Sequence, residues 1–212
     1  MTPQEASAKA ERLCRLAPVV PVLVVHELAH ARPLAEALVA GGLPALEVTL
    51  RTPVALDVIR EMASVEGGVV GAGTLLTPED VVAAKEAGAQ FGVSPGATDR
   101  LLDACEAHDL PILPGATSAS ESMRLLERGY SVQKFFPAEA AGGAPFLKSL
   151  ASPLPRIRFC PTGGIGPGNA MDYLSLPNTL CVGGSWVVPA AMVNAGDWAG
   201  ITALAKEASG LG

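Results

Sequence analysis

The chain has 212 residues, of which 49% are hydrophobic, 17% charged and only 4% aromatic, and its net charge is −6. Length and composition exclude a disordered chain and allow one sizeable domain with an aliphatic core of Val, Leu, Ile and Ala. The acidic balance argues against nucleic acid as a partner and favours a soluble protein that handles small molecules.

Residues 1–15 are polar and helix-like, and they lack the apolar run after a basic start that marks a signal peptide. The apolar stretch 17–25 carries two prolines and falls short of the ~20 residues a membrane span needs. A cytoplasmic location is the expectation. From residue 19 onward one unit recurs: a short β-branched run ending in Gly, Pro or Thr, then a helical segment. The predicted strands cover 19–25, 45–50, 69–74, 91–95, 111–115, 132–137, 158–163 and 179–184, with starts 20 to 26 residues apart.

The intervening segments carry helix signals. Thr52-Pro53 and Thr77-Pro78 each read as a cap followed by proline at the first helical position, and Ser118 to Glu121 matches a capping box. Ala31, Leu34, Ala35 and Leu38 form one apolar stripe, as do Ala55, Val58, Ile59 and Met62. Gly88 and Gly129 fall near helix ends. Pro95-Gly96-Ala97-Thr98 recurs as Pro114-Gly115-Ala116-Thr117, 19 residues on, as if two neighbouring strand ends shared one turn.

Eight βα units predict an α/β fold: a single (β/α)8 TIM barrel domain over residues 1–212, with an extra N-terminal helix. An open doubly wound sheet is the rival. It wants a glycine fingerprint after the first strand, where this chain reads His26-Glu27-Leu28. Cys14, Cys105, Cys160 and Cys181 form no C-x-x-C pair and no zinc-like spacing, which predicts four reduced, buried thiols and no metal site.

In a barrel of this kind the chemistry lies where the strands end. In the second strand Glu47, Thr49 and Arg51 alternate onto one face, either as an internal Glu47–Arg51 ion pair or as working groups. The third strand ends Gly71-Ala72-Gly73-Thr74, where Thr74 either caps a turn or donates to a carboxylate. Strands four and five end in Ser94-Pro95-Gly96 and Leu113-Pro114-Gly115, which shape a rim or a pocket wall. In the sixth strand Lys134 shares a face with Val132 and Phe136. It is either a snorkelling lysine or a desolvated amine, the form that attacks a ketone. The last two strands end in Thr162-Gly163-Gly164 and Gly183-Gly184-Ser185. Paired Gly-Gly turns there read as tight turns or as a phosphate site built from backbone N–H groups.

Taken together, the segments 46–52, 71–74, 94–96, 134–139, 159–165 and 183–186 resemble the 2-keto-3-deoxy-6-phosphogluconate aldolases, also called 4-hydroxy-2-oxoglutarate aldolases. The likeness runs from about Val19 to the C-terminal helix. It implies that Lys134 is the Schiff-base nucleophile and Glu47 the general acid/base. Arg51 and Thr74 then hold the pyruvate carboxylate, Pro95 and Phe136 wall the pyruvyl carbons, and Thr162 contacts substrate oxygens. Gly163, Gly164, Gly184 and Ser185 take the phosphate. The resemblance also implies a homotrimer of barrels that needs neither metal nor cofactor, acts on small-molecule substrates, and binds no nucleic acid or membrane. The implied reaction releases pyruvate with D-glyceraldehyde 3-phosphate, or with glyoxylate from 4-hydroxy-2-oxoglutarate. A phosphosugar isomerase or epimerase, and a non-catalytic phosphosugar-binding barrel, are the competing expectations. Burial should raise the Glu47 pKa and nearby cations should lower it, a contest the sequence leaves open.

Overall fold

The computed structural model describes residues 1–211. Nine short strands are all parallel to their partners. β1 (Val19–Leu23), β2 (Ala45–Thr49), β3 (Val69–Gly73), β4 (Phe91–Val93), β5 (Ile112–Leu113) and β9 (Val182–Gly184) form one sheet in the order β5-β4-β3-β2-β1-β9. This is a curled six-stranded parallel sheet, a half-barrel. β6 (Gly115–Ala116), β7 (Val132–Phe135) and β8 (Arg158–Pro161) form a second sheet in that order. Isolated parallel bridges, Phe159 to Thr179 and Thr162 to Gly183, lie between the β8 and β9 segments.

Each predicted run contains a strand. Six of them end one or two residues short of the predicted end, the fifth run extends to Ala116, and the eighth starts only at Val182 and ends at Gly184 as expected. The fifth run is divided in two at Pro114, which has no N–H to give a ladder. The Pro114 carbonyl still accepts from the Lys134 N–H at 2.8 Å.

Helices α1 (Pro3–Cys14), α2 (Ala31–Ala40), α3 (Ala55–Met62), α4 (Pro78–Glu86), α5 (Asp99–Ala107) and α6 (Ala119–Arg128) are followed by α7 (Gly143–Leu150), α8 (Ala170–Leu174), α9 (Ala190–Ala195) and α10 (Trp198–Ser209). Thr77 and Ser118 close capping boxes with Asp80 and Glu121, and α6 ends on Gly129 with a left-handed φ of 117°. The Thr52-Pro53 signal turns out otherwise. α3 starts at Ala55 without a side-chain cap, and the Thr52 hydroxyl instead donates to the Val25 carbonyl at 2.7 Å. A tertiary acceptor one strand away has taken the hydroxyl that the sequence assigned to a cap.

The main core lies between strands and helices, where the stripes of α2 and α3 meet Leu23, Leu46 and Val48. A smaller core joins Ala10, Leu13 and Cys14 of α1 to Val20, Phe91, Val132, Cys160 and Cys181. Several of these stand where strands begin, so α1 covers that end. The opposite end is left for the site. Among the described residues no helix is long and apolar enough to cross a membrane.

Candidate active site

Glu47 sits midway along β2, paired in register with Val22 on one side and Gly71 on the other. Lys134 sits in β7, in register with Gly115 and Cys160. The two side chains converge across the curl of the sheets: Lys134 Nζ donates to Glu47 Oε1 at 3.3 Å, with Glu47 3% and Lys134 5% exposed. Two charged groups this deep are costly unless they serve each other or a ligand. The internal Glu47–Arg51 ion pair, the alternative to working groups on that strand, is not formed. Glu47 takes Lys134 as its partner, and Arg51, beyond the end of β2, is exposed. Thr49, between them, is buried and donates to the Leu23 carbonyl at 2.8 Å.

Burial pushes the Glu47 carboxyl above its ordinary value of 4.5, against the opposing pull of Lys134 and Arg51. Burial therefore wins the contest left open above. The carboxylate occupies the place where a side chain on Gly73 would begin: a Cβ there would lie 2.4 Å from Glu47 Oε1. Gly73 is thus required by close approach. Beside it, Thr74 holds a φ of 62°, a left-handed conformation that a β-branched residue adopts only under tertiary constraint. The Phe136 ring faces the amine, its centroid 5.3 Å from Lys134 Nζ.

Arg51, Phe136, Thr162, Gly163, Gly164, Gly184 and Ser185 line one cleft of about 220 Å³. Seven of the residues singled out in the sequence therefore meet around one space, and Lys134 and Glu47 lie outside its lining, with Lys134 joined to it through the Phe136 ring. Gly163 and Gly164 have left-handed φ values of 104° and 78°. Among the described residues the N–H groups of Gly164, Ile165 and Ser185 find no acceptor, which leaves them free for an anion. Thr74 and Pro95 lie outside the lining of that cleft. The Pro95 carbonyl instead packs against Gly115, so the two Pro-Gly-Ala-Thr turns touch each other. They are not equivalent: Thr98 caps α5, whereas the Thr117 hydroxyl donates to the Phe136 carbonyl at 2.6 Å.

Some lining residues were not singled out in the sequence as site residues. Val22, Val24 and Ile165 are ordinary aliphatics whose position only the curl of the sheet reveals. The four cysteines are free and buried, and burial pushes the Cys105 thiol up to about 12. Among the described residues no cluster of His, Cys, Asp or Glu is arranged to hold a metal ion.

The chain as a whole is similar to known proteins. Residues 10–204 match the family model for KDPG and KHG aldolase. The KHG/KDPG aldolase of Escherichia coli K12 is 52% identical over 200 residues, 94% of each chain. The crystal structure of the 2-keto-3-deoxy-6-phosphogluconate aldolase of Zymomonas mobilis ZM4 with 3-phosphoglycerate superposes with a TM-score of 0.93 at 53% identity, covering 97% of both chains. The KDPG aldolase from Legionella pneumophila, with pyruvate captured at low pH as a covalent carbinolamine intermediate, gives a TM-score of 0.91 at 46% identity. It covers 94% of this chain and 97% of that one.

Proposed function

The chain belongs to the KDPG and KHG aldolase family of carbon–carbon lyases, and on that premise we propose that it cleaves 2-keto-3-deoxy-6-phosphogluconate to pyruvate and D-glyceraldehyde 3-phosphate through a Schiff base on Lys134. The observation that carries this is the buried Lys134–Glu47 contact, next to the Phe136 ring of a cleft edged by Arg51 and two glycine turns. The same site suits 4-hydroxy-2-oxoglutarate, which would yield pyruvate and glyoxylate.

The residues divide the work as follows. Lys134 Nζ, its proton passed to Glu47, attacks the C2 ketone. Glu47 gives that proton to the carbinolamine hydroxyl, which leaves as water, so a protonated imine forms and Glu47 is a carboxylate again. Glu47 takes the C4 hydroxyl proton, the C3–C4 bond breaks, and its electron pair moves into the imine, leaving an enamine as the aldehyde departs. Glu47 returns a proton to C3, and water hydrolyses the imine to release pyruvate and free Lys134. A carboxyl that takes and returns protons works best with its pKa moved towards neutrality, and burial of Glu47 moves it that way. Arg51 and Thr74 hold the pyruvate carboxylate, and Pro95 and Phe136 wall the pyruvyl carbons. Thr162 contacts substrate oxygens, and Gly163, Gly164, Gly184 and Ser185 hold the phosphate. The imine is the electron sink, so this chemistry calls for no metal or cofactor.

The same reading takes residues 1–212 as one closed (β/α)8 barrel domain with α1 as its extra N-terminal helix. It is supported by the Lys134–Pro114 hydrogen bond on one side and the β8 to β9 bridges on the other. It also takes the enzyme to be a cytoplasmic homotrimer, for which light scattering should return three times the 21.6 kDa chain mass.

The deciding experiment is borohydride reduction in the presence of pyruvate, followed by peptide mass spectrometry. The reduced adduct is expected on the peptide containing Lys134. Lys134→Ala should lose both the adduct and at least about 10⁴-fold in turnover. A folded wild-type protein that forms no adduct would end the proposal.

A further inference from the structure

Asn169 immediately precedes α8, where an asparagine reads as a helix cap, yet its side chain makes no cap bond to that helix. Both of its polar atoms turn back to the glycine turn. Oδ1 accepts from the Gly166 N–H at 2.8 Å, and Nδ2 donates to the Gly164 carbonyl at 3.1 Å. That bond ties the Gly164 carbonyl, and so the Gly164–Ile165 peptide plane, to Asn169.

The other face of the turn is held by the segment after β7. The Ala138 and Glu139 N–H groups donate to the Thr162 and Gly163 carbonyls at 2.8 and 3.1 Å. The stem of Glu139 lies against Gly164: a Cβ on Gly164 would fall 2.7 Å from Glu139 Cγ. The carboxylate itself accepts a hydrogen bond from the Tyr173 hydroxyl, which reaches it from α8. Tyr173 is fully buried. Burial, then the Glu139 carboxylate, pushes the phenol up, so the hydroxyl keeps its proton and donates. This bond fixes a negative charge towards α8. A carboxylate free to swing over the turn would repel an anion there.

We propose that Asn169 and the Tyr173–Glu139 pair are positioning residues that set the Gly163–Gly164 turn in its anion-accepting form, and so govern affinity for the distal phosphate without touching the reacting carbons. The proposal rests on the assignment of Gly163, Gly164, Gly184 and Ser185 to the phosphate.

The test uses the full chain carrying Asn169→Ala, Tyr173→Phe or Ser185→Ala. Two quantities are measured for each: KM and kcat for 2-keto-3-deoxy-6-phosphogluconate, and the pyruvate concentration giving half-maximal borohydride trapping. Loss of the two Asn169 hydrogen bonds, or of the Tyr173–Glu139 bond, should raise KM about fivefold or more in Asn169→Ala and about fivefold in Tyr173→Phe. Their kcat and pyruvate half-saturation should stay at wild-type values. An unchanged KM, or an equal loss in both measurements, would overturn the positioning role, because a general disturbance of the fold would weaken pyruvate as well. Ser185→Ala separates the positioning role from the phosphate assignment. If it raises KM selectively while the other two variants do not, the positioning role alone falls. If it too fails to discriminate, the phosphate assignment falls and takes the positioning role with it. Should Asn169→Ala prove too unstable to assay, Tyr173→Phe, which keeps the buried ring, decides.

Discussion

Two buried side chains, Lys134 and Glu47, meet beside the Phe136 ring that lines the cleft. Two turns in the cleft wall, Gly163–Gly164 and Gly184–Ser185, present mainly backbone. The first region depends on where charge is placed in a dry interior. Moving either group would strand the other without a partner. The second depends on backbone conformation, with left-handed glycines and amides left free of internal acceptors. A side-chain site is therefore sensitive to chemical identity and a backbone site to whatever props the turn. Substitutions sort accordingly: at the buried pair they should act on kcat, and at the turns on KM for the phosphorylated substrate.

The sharpest way to break this division is Glu47→Gln. It keeps the shape and removes the proton acceptor, and kcat should fall by about 10² to 10⁴. The wild-type pH–rate profile should show an acid limb above 4.5, because burial raises the Glu47 pKa and activity needs the ionised form once substrate is bound. That limb should vanish in the variant. If it persists at the same pH, another group is the base.

Gly73→Ala tests the same region without altering either reacting group. The new methyl would press on Glu47 Oε1. A displacement of this kind should lower kcat by about 10- to 100-fold and cost about 1–3 kcal/mol of stability from overpacking. An intact kcat would mean that the position of the Glu47 carboxylate is not critical. The smallest effect is expected far from the cleft. Ser118→Ala removes the α6 capping box, which should cost about 1 kcal/mol and lower Tm by about 2–4 °C, with kinetic constants at wild-type values. A change in KM there would show that the scaffold and the cleft are coupled.

The glycine turns also mark where reading from sequence stops. Gly163 and Gly164 are visible as letters, but nothing in the sequence says that Asn169 would turn away from its own helix to hold them. Tyr173 is one apolar residue of a short helix until the fold brings its hydroxyl to Glu139. Thr52 shows the opposite failure: its cap signal was genuine local chemistry, and the Val25 carbonyl across the sheet took the hydroxyl instead.

The βα alternation and the helix caps at Thr77 and Ser118 were legible in the chain alone. Those depend on periodicity and hydrogen bonds spanning a few residues, which the chain carries locally. Only the tertiary structure decided that Glu47 pairs with Lys134, 87 residues away, rather than with Arg51. It also decided that burial outweighs the cations at Glu47. Both outcomes depend on how far the parallel sheet curls, and on how much water that curl excludes.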